Sequence, residues 1–126
     1  MRNEVEPDIT IIVHLDDMPV RGNACASGDD AFDKKVEDAI LRRLDSGDVW
    51  AWACVEVRAS FAGLSASDFL GGCSCEDVND FIAGGYFEDM VAEACTDLAE
   101  QIEGLQGVHL KAPEGPPETI GLKYAP

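Results

Sequence analysis

Between Ala59 and Leu110 the chain has no lysine and no arginine, while ten aspartates and glutamates fall in the same stretch. Cations are scarce elsewhere too, nine against 25 acids, for a formal net charge of −16 over 126 residues. This argues against a direct nucleic-acid-binding surface, which needs lysines and arginines to displace phosphate counterions. Anionic membranes repel such a chain for the same reason, and a basic partner is favoured.

Other absences narrow the chemistry. No run approaches 18 apolar residues, so no helical membrane span is expected. The opening "MRNEVEPD" lacks the apolar core of a secretory signal, which points to the cytoplasm and reduced thiols. Five cysteines make an odd count, and the isolated Cys73–Cys75 pair has no second pair of Cys or His spaced to complete a tetrahedral site. No metal or cofactor is expected.

His14 and His109 are the two neutral-pH bases, and no GxSxG, Walker-type, HExxH or GxGxxG pattern is present. Asp16–Asp17 and Asp29–Asp30 lack the spacing of a calcium loop and read as a strand-end turn and a helix start. The expectation is a protein that is not an enzyme.

What is present is a folded domain. Apolar residues make up 46% of the chain, with two Trp, two Tyr and five Phe as bulky anchors. "DITIIVHLDD" (8–17) reads as a strand, with Ile9, Ile11, Val13 and Leu15 on one face. Residues 27–48 read as a helix capped by Ser27, Asp29 or Asp30 and ended by Gly47. Its stripe is Phe32, Val36, Ile40 and Leu44, and Lys34–Asp38–Arg42 forms an i,i+4 ladder on its outer side. "VWAWACVEVRASFAG" (49–63) is the clearest strand, and "LSASDFLGG" follows as its partner with Leu64, Ala66 and Leu70 inward.

Ser74 and Asp77 suggest a capping box on a short helix that Gly84 and Gly85 stop. A longer helix runs from Tyr86 to Glu103, with Phe87, Val91, Ala94, Leu98, Ile102 and Leu105 on its inner arc. "VHLKAP" suggests a short edge strand. The expected architecture is α+β in β-α-β-β-α order: a small antiparallel sheet of about three strands with two main helices on one face. Residues 1–112 form that domain, and 113–126, rich in Pro and Gly, read as an extended tail.

The outer face of the longer helix is acidic. Asp89, Glu93 and Asp97 are successive i,i+4 neighbours, each pair repulsive by about 0.2–0.5 kcal/mol. With Glu100 they recur opposite the apolar arc, about 6 Å apart along the axis. Glu76, Asp77 and Asp80 on the preceding short helix extend the surface. Three readings stay open: a face complementary to a basic partner, a face that is simply solvated, and a face that binds ions.

The run "SGDVWAWACVEVRASFAGLSASDFLGGCS", followed by "YFEDMVAEACTDL", resembles a family of small acidic phage and plasmid proteins of unknown function. The resemblance covers about residues 46–100, with Phe69 and Phe87 where the family pattern has Tyr. It implies a mobile-element setting, and by analogy of class a likeness to anti-CRISPR and anti-restriction inhibitors that occupy nucleic-acid-binding grooves. The expected function is an acidic inhibitor or DNA mimic bound to a basic surface of a host nucleic-acid-handling protein. The alternative is a structural or regulatory module with an apolar interface at Trp50, Trp52, Phe69 and Tyr86, a homodimer in one version.

Overall fold

A computed structural model describes residues 3–103, 108–113 and 119–125. Six strands and three helices follow one another: β1 (Asn3–Val5), β2 (Asp8–Leu15), α1 (Asp30–Asp45), β3 (Ala53–Phe61), β4 (Leu64–Cys73), α2 (Val78–Ala83), α3 (Tyr86–Ile102), β5 (Val108–Leu110) and β6 (Ile120–Tyr124). A 3-10 turn, Val49–Ala51, precedes β3. The fold class is α+β, as the alternation of β-branched runs and helical stripes indicates.

The main sheet has four strands in the order β4-β3-β2-β6, one more than expected. β2, β3 and β4 are antiparallel neighbours, whereas β6 runs parallel to β2, so the sheet is mixed. The added strand comes from the segment read as a tail. Parallel pairing of β1 with β5 forms a second, two-stranded sheet.

Period-two alternation sets the faces of the main sheet. Ile9, Ile11 and Val13 of β2 and Val55, Val57 and Ala59 of β3 point to one side, all buried. There α3 closes the core with Phe87, Val91, Ala94, Leu98 and Ile102. Leu105, expected to join this arc, lies outside the described residues. An edge-to-face contact of Phe81 with Phe87, centroids 6.3 Å apart, ties α2 to the same core.

Two helices on one face was the expectation, and the structure corrects it. α1 sits on a second, smaller core of Val20, Ile40, Ala51 and Trp52, with Val36 and Leu44 alongside. The cause is the 3-10 turn, which resets the alternation that a continuous strand from Val49 would have kept. Phe32, assigned to the inner stripe, is half exposed at the first turn.

Caps follow the chemistry of short acids. Asp29 accepts from the backbone N–H groups of Ala31 and Phe32 at the start of α1. Asp77, rather than Ser74, caps α2 by accepting from the Asp80 N–H at 3.0 Å. Asp16 organises the turn after β2, accepting from Met18 N–H at 2.8 Å and from Gly72 N–H at 2.6 Å. At the β3–β4 hairpin, Ala62 and Gly63 have φ of 52° and 81°, the left-handed pair of a two-residue turn.

Candidate functional site

The acidic residues singled out by sequence lie on the outside of α2 and α3. Glu76, Asp77, Asp80, Asp89, Glu93 and Glu100 are exposed, and Asp97 is half-buried. The inner arc of α3 explains this placement. Phe87, Met90, Val91, Ala94, Cys95, Leu98 and Ile102 are buried, which turns the intervening positions outward.

None of the described ion pairs involves an acid from Ala59 to Leu110. The acids that do pair are Glu37, Asp38, Asp48 and Glu56, with Arg21, Lys34, Arg43, Arg58 and His14. Cations and their partners thus lie on α1, on the loops beside it and on the far side of the sheet. The expected Lys34–Asp38–Arg42 ladder is half correct. Lys34 meets Asp38 at 2.8 Å, but the second partner of Asp38 is Arg21, reaching over from the loop after β2.

The acids of α2 have a local role as well as an exposed position. Asp77 caps the helix, and Asp80 accepts from the Glu76 N–H at 2.9 Å. These bonds tie the 76–80 turn together through its own backbone N–H groups. The first turn of α3 adds Glu88 and Asp89, favourable at a helix N-terminus whose cap, Gly85, has no side chain to contribute. Beside it, a cleft of about 370 Å³ is lined by Leu70, Gly71, Gly72, Cys75, Asp80 and Tyr86, among others.

Sequence reasoning missed the polar centre on the open face of the sheet. Glu56 projects from β3 away from α3 and is buried, with 5% of its side chain exposed. Its carboxylate accepts from the Ser67 hydroxyl at 2.6 Å, from Arg58 Nε at 3.0 Å and Nη2 at 2.8 Å, and meets His14 Nε2 at 2.9 Å. Burial alone pushes the Glu56 carboxyl up. The bonds from Ser67, His14 and Arg58 together outweigh it and hold the group below the usual carboxylate range. Period two in the sequence puts Glu56 and Arg58 on one face of a strand, and the register of β2, β3 and β4 brings His14 and Ser67 beside them.

Cys54 faces His14 across the β2–β3 ladder, so a thiol, an imidazole and a carboxylate share this face. The thiol is kept protonated rather than activated: burial raises it, and Asp16, Glu56 and Asp17 add to the effect. Cys73 is pushed up to about 11 by burial, and Cys75 and Cys95 are raised by burial as well. All five cysteines are free, and among the described residues no cluster of three His, Cys, Asp or Glu is arranged to hold a metal.

The apolar interface proposed at Trp50 and Trp52 is corrected by their burial. Both indoles are core residues. Trp50 Nε1 donates to the Tyr124 hydroxyl at 3.1 Å, and Trp52 Nε1 donates to the Met18 carbonyl at 2.7 Å. Phe69 and Tyr86, the other two anchors, are exposed at 58% and 62%. Among the described residues no helix is long and apolar enough to cross a membrane. Comparison with protein-family models, curated proteins and solved structures found no match to the chain.

Proposed function

We propose that the outer surface of α2 and α3 binds a basic groove of a nucleic-acid-handling protein in the host cytoplasm, and that the protein acts there as a non-catalytic inhibitor or modulator. Asp89, Glu93, Asp97 and Glu100 are the central contacts, supported by Glu76, Asp77 and Asp80. The carrying observation is the segregation of charge. Exposed acids on α2 and α3 stand without ion-pair partners among the described residues, while the four acids that do pair, Glu37, Asp38, Asp48 and Glu56, all lie elsewhere.

An uncommitted carboxylate can meet an arginine without first breaking an intramolecular pair, and the new contact offsets the cost of desolvating both charges. Spacing of about 6 Å along α3 is sparser than the one charge per roughly 1.7 Å of duplex DNA. The surface therefore imitates the charge of a nucleic acid rather than its detailed shape. The resemblance to small phage and plasmid proteins supplies a setting in which an anti-CRISPR or anti-restriction inhibitor of this kind would act.

Affinity capture from host lysate at low and at high salt tests the reading. The partner is retained at low salt, elutes as salt screens the contact, and is lost when Glu93 and Asp97 are replaced by Lys. Equal retention at both salt concentrations would overturn it.

A further inference from the structure

One edge strand of the main sheet carries a lysine and no acid. β6 ends the main sheet beyond β2, and no strand among the described residues pairs with its outer side. From Thr119 to Ala125 there is no acid, in a chain that carries 25. Leu122 and Tyr124 are 39% and 56% exposed. They lie on one side of the sheet, in register with Ile11 and Val13, and Leu15, also exposed, is the next β2 residue on that side.

The opposite edge carries an inward acid and a register irregularity, whereas β6 is blunted only by its short length and Lys123. On β4, Asp68 is in register with Val57 and so stands on the helix-covered side, where an acid opposes the approach of another strand. β4 also carries a register irregularity opposite Ala53 and Val55, near Gly71 and Gly72. α3 packs over β3 and β4, which places its acids above that half of the sheet. β6 lies two strands from β3, roughly 10 Å away, about a Debye length at ~0.1 M salt.

We propose that β6 is a self-association edge, at which two copies of the chain pair antiparallel about Leu122. For a protein of charge −16 the strongest obstacle to dimerisation is repulsion between copies; β6 itself adds a lysine and no acid to the contact, with Glu6 and Asp8 standing by the cleft at its start. Pairing about Leu122 sets Leu122 against Leu122 of the second copy and Ile120 against Tyr124. It sets Lys123 against Gly121, which leaves its side chain room. Gly121 is itself required on its own sheet, since an added Cβ would meet the Thr10 hydroxyl at 3.0 Å.

The arrangement is two-fold and closed, and it joins two four-stranded sheets into one of eight strands. It leaves α2 and α3 of both copies free. The contact is one five-residue strand, so the dimer is a weak one that salt strengthens.

Sedimentation equilibrium of the full chain at ~0.05 M and ~0.5 M salt tests this, because screening reduces the repulsion between copies. The expected result is a monomer–dimer equilibrium that tightens at least several-fold as salt rises. That response is opposite to the one expected for the basic partner, so the two proposals stand or fall separately. Leu122→Glu places two acids face to face and should weaken association at least tenfold, while Phe69→Glu on β4 leaves it unchanged. Should Leu122→Glu fail to fold, Leu122→Cys gives a covalent dimer on mild oxidation, under conditions in which the unaltered chain gives none. A monomer at every salt concentration, association that weakens with salt, association lost through Phe69→Glu instead of Leu122→Glu, or no covalent dimer from Leu122→Cys would each overturn the proposal.

Discussion

The indole N–H of Trp50 donates to the hydroxyl of Tyr124 at 3.1 Å, across 74 residues of sequence. Trp50 is buried, so this hydroxyl gives the indole a partner at the rim of the core. Tyr124→Phe removes it and should cost about 1 kcal/mol, a fall in melting temperature of roughly 4 °C. The Trp emission, blue-shifted and protected from iodide in the parent, should stay so. A quenchable indole in the parent protein would contradict the packing.

The Glu56 centre makes part of the stability depend on acid. Its folded-state carboxyl lies below the unfolded value of about 4.3, so it stabilises the fold above that pH. The contribution is lost as pH falls through the folded value. Glu56→Gln should destabilise the protein by about 1–2 kcal/mol at pH 7. The gap from the parent should close below about pH 4. A gap that is constant from pH 7 to pH 3 would mean that packing, not charge, is what Glu56 contributes.

Ala62 holds a left-handed φ of 52° at the first position of the β3–β4 turn. For an L-residue with a Cβ this conformation costs about 1 kcal/mol. Ala62→Gly or Ala62→Asn should therefore raise the unfolding free energy by about 0.5–1 kcal/mol in urea. Unchanged or lower midpoints for both substitutions would refute the turn geometry.

Charge reversal on α3 should move stability and binding in opposite directions. Glu93→Lys converts two repulsive i,i+4 pairs, with Asp89 and Asp97, into attractive ones and should add a few tenths of a kcal/mol, about 0.2–0.5 per pair. Partner capture should fall at the same time. A residue that merely keeps the protein in solution would show the gain without the loss.

Thiol labelling should follow burial. With Cys73 raised to about 11, only about a thousandth of it is thiolate at pH 8. Cys73 and Cys95 should resist iodoacetamide in the native protein and react fully in denaturant. Rapid native modification of Cys73 would show that the strand end opens.

How much of this was legible in sequence depended on whether a signal was local. The 3.6-residue stripe of α3 placed Phe87, Val91, Ala94, Leu98 and Ile102 correctly, and the acids opposite them, because one helix fixes both faces. The inward set of β3 was also readable from Ala53 onward. Trp50 and Trp52 were misjudged because the 3-10 turn breaks a parity that sequence cannot see breaking. β6 was missed since "IGLKY" is short, follows three prolines and gains strand character only from pairing with β2. The Glu56 centre was invisible for a related reason: His14 and Glu56 are 42 residues apart, and register alone joins them. The acidic surface was the reverse case, since composition located it before any fold was assigned.

The place of β2 has a consequence for how the protein is made. "DITIIVHL" is among the most apolar segments of the chain and is synthesised well before β6, so one of its two edges stays open until Ile120–Tyr124 has emerged from the ribosome. A chain cut short before that point would carry β2 as an unshielded apolar edge, a template for other truncated chains. Termination before Ile120 should therefore yield aggregates rather than a smaller working protein, and emergence of β6 becomes a checkpoint for solubility.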